Sequence, residues 1–310
     1  MTIAAALRDS LGPERVHVDR PLGPLTTFRV GGPADVLVET RTSDEVVAVL
    51  RIAARSNVPV TLLGGGSNVL VSDAGVRGVV IRMRGGDVHA IERRIVRADA
   101  AVTINGLVRW TINHGLAGLE AWAGTPGTVG GAVHGNAHFG GRSIGELIES
   151  VRLASRTGSI VDVPAADMAF AYDRSRLQRT DEILLSADFH VADGDPAALR
   201  PTARQSLAFR KQTQPLDTPS AGCVFQNPQP GQDVVPDGIP WSAGALVDRA
   251  GLKGLRIGGA RVSPTHGNFI VNDGAASAAD VRQLIERCKE SVRERFGVNL
   301  REEIVYLGEW

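Results

Sequence analysis

From residue 42 the chain reads Thr-Ser-Asp-Glu and then places Val46, Val47, Leu50, Ile52 and Ala53 at helical spacing. A hydroxyl ahead of the first turn can accept from the N–H three residues on, and early acids complement the positive helix end. A helix is therefore predicted there. Short apolar runs at 34–39 and 58–63 flank it, so the first 70 residues predict a small βαβ unit. Strand-like pieces recur at 79–83, 95–98, 150–154, 160–163 and 183–190, punctuated by turns such as Thr157-Gly158, and predict an antiparallel α+β lobe. Between them, residues 118–145 hold nine glycines and no periodicity. A loop that long within a compact lobe is usually functional.

After Asp193-Gly194-Asp195-Pro196 the pattern becomes helical over 197–210, and a proline-punctuated loop leads to a second helix near 243–250. Over 280–296 the apolar residues Val281, Leu284, Ile285, Cys288, Val292 and Phe296 fall on one helical face, and a last strand is predicted at 304–307. This change predicts a boundary near residue 195, with one region over 1–195 and another over 196–310.

Composition narrows the class. A chain of 310 residues is longer than one ordinary core supports, and 43% apolar with 22% charged residues is a globular balance. Lys plus Arg and Asp plus Glu number 34 each, so no global field favours nucleic acid or an anionic membrane, and neither is an expected partner. The apolar run at residues 3–7 is broken by Arg8 and Asp9, too short and too soon charged for a signal peptide, and no later run nears the roughly 20 residues of a membrane span. Cys223 and Cys288 make no disulfide framework. A cytoplasmic monomer with reduced thiols is expected.

Two glycine-rich segments suggest the chemistry. Gly64-Gly65-Gly66-Ser67-Asn68 follows a predicted strand, so consecutive N–H groups without Cβ obstruction can converge on a phosphate, or simply make a tight turn. The segment is not GxGxxG and opens no helix, which disfavours a Rossmann fold. The second block runs Gly124-Thr125-Pro126-Gly127-Thr128-Val129-Gly130-Gly131-Ala132-Val133 and ends in Asn136-Ala137. Two such loops can grip both ends of a long cofactor. His134 and His138 are four residues apart, but no third ligand accompanies them in sequence, and no metal site is expected.

These blocks occur in order with Pro219-Ser220-Ala221-Gly222-Cys223-Val224-Phe225 and Asn227-Pro228, Ala250-Gly251-Leu252-Lys253-Gly254, Val262-Ser263 with His266, and Asn268-Phe269-Ile270-Val271-Asn272. The set resembles the MurB-type UDP-N-acetylenolpyruvoylglucosamine reductases. The resemblance implies an α+β protein: a two-lobed FAD-binding region of the PCMH or vanillyl-alcohol-oxidase type over 1–195, and a smaller substrate-binding domain over 196–310. It implies noncovalent FAD, NADPH as reductant, and a UDP-sugar substrate, the enolpyruvyl ether of UDP-N-acetylglucosamine, reduced to UDP-N-acetylmuramate for peptidoglycan synthesis. The implied cofactor contacts are Arg29, Gly64, Gly65, Gly66, Ser67, Asn68, Gly124, Thr125, Pro126, Gly127, Thr128, Gly130, Gly131, Ala132 and Asn136.

The same resemblance assigns catalytic positions. Cys223 stands where the family has a proton-donating serine; a thiol of ordinary pKa near 8.5 is a stronger acid than a hydroxyl. Glu303, in Leu300-Arg301-Glu302-Glu303, matches the family carboxylate, with Glu302 expected on the opposite side of the strand. The family's enolate-supporting arginine, in Tyr-Arg-x-Ser, is replaced: the chain reads Tyr172-Asp173-Arg174-Ser175, which leaves Arg174 as the candidate. His138 stands where a glycine is common, and Gln226 where a base often follows Val-Phe. Implied substrate contacts are Tyr172, Lys211, Gln214, Ser220, Asn227, Lys253 and His266. Asp173 also raises an alternative, an FAD-binding paralogue with weakened or altered reductase activity. A PCMH-type oxidase has less in its favour, since no His or Cys stands in a flavin-linking context.

Overall fold

The computed structural model describes residues 2–310. It forms two compact units: one built from residues up to Arg20, Ala34–Gly65 and Arg77–Phe209, the other from Pro21–Pro33, Gly66–Val76 and Arg210–Trp310. Each mixes helices with sheets, an α+β architecture. The expected boundary at residue 195 falls at the start of a helix, Pro196–Thr213, whereas the units divide within that helix, after Phe209.

The first unit has two cores. One forms on a sheet of order β1-β2-β5-β3, comprising β1 (Val16–Pro21), β2 (Pro33–Thr40), β3 (Val60–Leu62) and β5 (Val76–Met83). Helices α1 (Ile3–Leu11) and α2 (Ser43–Arg55) bury Leu7, Leu11, Val46, Val49 and Leu50 against Val38, Val79 and Ile81. The predicted cap of α2 is present, Thr42 Oγ1 accepting from Glu45 N at 3.2 Å. The βαβ order is also present, but β5 lies between β2 and β3 and pairs parallel with β3. Val79, Val80 and Ile81 of β5 are all buried, the continuous apolar run of a central strand.

The second core of this unit lies on the antiparallel sheet of order β12-β11-β13-β7-β6. Its strands are β6 (Val88–Glu92), β7 (Ile95–Asp99), β11 (Ile148–Ala154), β12 (Ile160–Pro164) and β13 (Ile183–His190). Helix α3 (Ile104–Asn113), unforeseen from the sequence, packs there with the fully buried Trp122. The stretch read as irregular contains a short helix, α4 (Val129–His134), and the pair β9 (His138–Phe139) and β10 (Arg142–Ser143). Further along, β8 (Leu116–Ala117) pairs with β14 (Ala192–Asp193).

The second unit begins with the end of α5 (Pro196–Thr213) and centres on β15 (Ser220–Cys223), β18 (Phe269–Asn272), β17 (Ala260–Val262) and β16 (Arg256–Ile257), in that order. Helix α6 (Ala243–Arg249) and the predicted α7 (Ala278–Phe296) cover it, α7 burying Val281, Leu284, Ile285, Cys288 and Val292. Phe28, Val30 and Leu70 join this core, and β19 (Val305–Leu307) pairs parallel with β4 (Val69–Val71), which is why residues 21–33 and 66–76 belong to this unit. Among the described residues no helix is long and apolar enough to cross a membrane.

Candidate active site

In the first unit the two glycine blocks meet backbone to backbone. A Cβ on Gly65 would lie 2.7 Å from Gly127 Cα, and one on Gly64 would lie 2.9 Å from Thr128 Oγ1. Gly130 is held as closely: its N–H donates to Ala100 O at 2.9 Å, and a Cβ there would sit 3.2 Å from the same oxygen. Thr128 caps α4, its Oγ1 accepting from Gly131 N at 3.3 Å. Among the described residues the N–H groups of Gly64 and Gly65 make no intramolecular hydrogen bond. A cradle that any side chain would fill, with backbone donors available to an anion, fits the pyrophosphate of FAD. Asn105 of α3, which the sequence reading missed, fixes the turn: Gly124 N donates to its Oδ1 at 2.7 Å, and its Nδ2 donates to Thr125 O at 3.2 Å. Pro126 is exposed and Ala132 is buried within α4.

Gly66, Ser67, Asn68 and Arg29 belong to the second unit. Gly66 has φ 66°, and a Cβ there would come 2.5 Å from Leu25 O, so glycine is required on both counts. Its carbonyl accepts from Thr27 N at 2.9 Å. Asn68 is tied to the carboxyl-terminal segment, donating to Glu303 O at 3.2 Å and accepting from Val305 N at 2.9 Å. Arg29 is exposed, with φ 56°.

Asn136 takes a structural part. It is 2% exposed, its Nδ2 donates to Ala171 O at 2.7 Å and its Oδ1 accepts from Gly145 N at 2.9 Å. It thereby fastens the end of the second glycine block to a tight turn, in which Ala171 and Arg174 exchange two backbone hydrogen bonds of 3.0 Å. Ser175 Oγ adds a bond to His134 O at 2.7 Å. Tyr172 and Asp173 form the corner. Asp173 is buried and Arg174, the sequence-level candidate, is exposed. Asp173 Oδ1 lies 2.9 Å from His138 Nδ1, so two of the residues that depart from the family pattern touch. Because α4 ends at His134 and His138 lies in β9, their spacing of four does not place them on one helical face. Burial lowers the His134 pKa.

In the second unit Cys223 ends β15, opposite Phe269 of β18. Glu303 N donates to Val224 O at 2.8 Å, which brings the Cys223 and Glu303 segments side by side. Glu302 is engaged elsewhere, accepting from Lys289 Nζ at 2.7 Å. The cation beside the thiol is Arg210, 6% exposed: burial lowers its pKa, and Cys223 acts to raise it. Lys211, the next residue and an implied substrate contact, is exposed. A buried arginine in the last turn of a polar helix gives no signal of its own in sequence. Ser220 and Gln214 are half-buried in the segments flanking this site.

The other implied substrate contacts have intramolecular duties. Lys253 Nζ pairs with Asp248 at 2.8 Å, and Asn227 Oδ1 accepts from Ala243 N at 3.0 Å at the start of α6. His266 orders its own loop: its Nδ1 accepts from Asn268 N at 3.2 Å, and burial, with the charge of Lys253, lowers its pKa. Asn268, not singled out from sequence, bridges the Phe225 backbone with two bonds of 2.8 and 2.7 Å and holds the strand after Cys223 in place.

Comparisons with known proteins agree with this layout. A family model described as "FAD binding domain" matches residues 34–164, and one described as "UDP-N-acetylenolpyruvoylglucosamine reductase, C-terminal domain" matches 214–307. UDP-N-acetylenolpyruvoylglucosamine reductase 1 of Bacillus thuringiensis subsp. konkukian is 37% identical over 296 residues, 95% of either chain. Reductase 2 of Symbiobacterium thermophilum is 39% identical over 297 residues, 96% of this chain and 93% of that one. The crystal structure of the reductase (MurB) from Thermus caldophilus matches with a TM-score of 0.77 at 33% identity, covering 94% of this chain and 98% of that one.

Proposed function

Since the chain belongs to the UDP-N-acetylenolpyruvoylglucosamine reductase family, we propose that it uses NADPH and FAD to reduce the enolpyruvyl ether of UDP-N-acetylglucosamine to UDP-N-acetylmuramate. FAD, when bound and reduced by NADPH, supplies the hydride that goes to the β-carbon. The chain's own residues hold the reactants and move the proton. Gly64, Gly65, Gly124, Gly127 and Gly130 form the anion cradle of the first unit, with Thr125 and Thr128 in its wall and Gly131 at the start of α4. Residues 1–195 serve as the FAD-binding region and 196–310 as the substrate-binding domain, and Arg29, Gly66, Ser67 and Asn68 are assigned to the cofactor.

Cys223 gives its proton to the α-carbon. Arg210, the buried cation beside it, is placed to offset the negative charge that remains on sulfur. Glu303, on the neighbouring segment, is a second group able to hold a proton in the same place. The observation that supports this pairing is the hydrogen bond from Glu303 N to Val224 O, 2.8 Å long. Tyr172, Lys211, Gln214 and Ser220 are assigned to the substrate; Asn227, Lys253 and His266 shape its surroundings through the contacts described above. The relatives' names speak for the reductase rather than for a paralogue of altered activity. A cytoplasmic, monomeric enzyme completes the reading.

The direct test is spectroscopic. Purified protein should be yellow, bleach on addition of NADPH without oxygen, and recover its colour when the enolpyruvyl substrate is added. Bleaching without recovery would retain the flavoprotein and reject the substrate.

A further inference from the structure

Asp173 stands at the corner of a tight turn, a place that aspartate tolerates well. Its φ of 51° is in the left-handed region, and its carbonyl accepts from Gln178 Nε2 at 2.9 Å. With Asn136 and Ser175 holding the same turn, the backbone leaves this side chain little choice of direction. The side chain is 7% exposed. One oxygen meets His138 Nδ1 at 2.9 Å; the other, Oδ2, is buried with no hydrogen-bond partner among the described residues. A buried carboxylate with an unmet oxygen costs several kcal/mol unless a donor reaches it. The turn therefore keeps a costly buried carboxylate against His138. His138 is 28% exposed, its ring 4.7 Å from that of Tyr172, and it lies two residues beyond Asn136 at the end of the second glycine block.

We infer that the Asp173–His138 pair takes the place of the arginine missing from the Tyr-Arg-x-Ser element, with His138 as the group that contacts the bound enolpyruvyl substrate. Asp173 is its positioning residue. By accepting from Nδ1–H it fixes the ring's orientation and tautomer, so that Nε2 is the atom presented to the ligand. One charged donor on a long side chain is thus replaced by an imidazole and the carboxylate that steers it. These two departures from the family pattern are a single compensated change, and Arg174 need not turn inward. This inference rests on the reductase reading.

The test uses the FAD-loaded protein and Asp173→Asn, His138→Gln and the double variant. Asparagine tolerates the left-handed backbone, so Asp173→Asn removes the charge and keeps the turn. Each single variant should slow flavin reoxidation by the enolpyruvyl substrate about 10²-fold, the cost of one transition-state donor. The double variant should be no slower than His138→Gln, because the residues act as a unit. Equilibrium titration of the oxidised protein with the same substrate should show a Kd raised about tenfold in Asp173→Asn. FAD affinity and the rate of reduction by NADPH should stay at wild-type values. Unchanged reoxidation and Kd in Asp173→Asn, losses that multiply in the double variant, or loss of FAD in all three would overturn the inference. Wild-type protein that NADPH does not bleach would overturn the reductase reading, and this inference with it.

Discussion

At the residue scale the two most consequential positions are a thiol and a glycine. Cys223 is a thiol with a buried cation, Arg210, beside it. Cys223→Ala should leave NADPH reduction of the flavin intact while slowing reoxidation by substrate about 10²-fold or more, the usual range for a lost proton donor; Cys223→Ser should retain part of the rate. Stopped-flow absorbance of the two half-reactions separates the cases, and equal reoxidation in the alanine variant removes Cys223 from the chemistry. Gly65 matters through space alone: its missing Cβ leaves room for Gly127 Cα, 2.7 Å from where the Cβ would stand. Gly65→Val should therefore yield colourless protein that takes up no FAD on reconstitution. Tight flavin binding by that variant would show that the contact between the loops is not the cradle. The cysteine and the glycines were legible in the sequence because their motifs are local. Arg210 and Asn105 were not, since each works through a neighbour distant in the chain.

At the element scale, α2 and α7 were readable because each carries a long apolar face behind a cap. In α7 Ser277 Oγ accepts from Asp280 N at 3.0 Å while Asp280 Oδ2 accepts from Ser277 N at 3.0 Å. The second bond is the main reason the Asp280 carboxyl pKa is lowered. A depressed carboxylate stabilises the fold above its unfolded pKa and loses that contribution as pH falls through the folded value. Asp280→Ala should cost about 1 kcal/mol in urea unfolding near neutral pH. The deficit should shrink as acid protonates Asp280, and a deficit independent of pH would mean that the reciprocal cap contributes little. Helix α3 has an equivalent cap in Thr103, yet its face, with Leu107, Val108, Thr111 and Ile112 buried, passed unread among strand-like pieces. Periodicity over ten residues was too short a record to separate it from its surroundings.

At the scale of the whole molecule, the carboxyl-terminal residues matter far more than their position suggests. Residues 300–307 supply Leu300 and Ile304 to the second core, pair β19 with β4 and place Glu303 beside Val224. Removing residues 304–310 should unfold the second unit, seen as loss of its protected amides in hydrogen exchange, whereas removing Trp310 alone should leave protection unchanged. Persistent protection of β4 in the longer deletion would show that the parallel pair is dispensable.

The sequence by itself determined the α+β class and the strands and longer helices whose patterns repeat over a few residues, and it displayed the glycine blocks and the Ser-Ala-Gly-Cys segment as local motifs. These depend on side chains close together along the chain, where spacing and geometry are tied. Tertiary structure decided the rest. It inserted β5 between β2 and β3, moved residues 21–33 and 66–76 into the second unit, set Arg210 beside Cys223, and joined His138 to Asp173. Each of these turns on which distant segments share a core, and a one-dimensional pattern does not record that. His138 and Asp173 are 35 residues apart in sequence and 2.9 Å apart in space because Asn136 and Ser175 clamp two loops together.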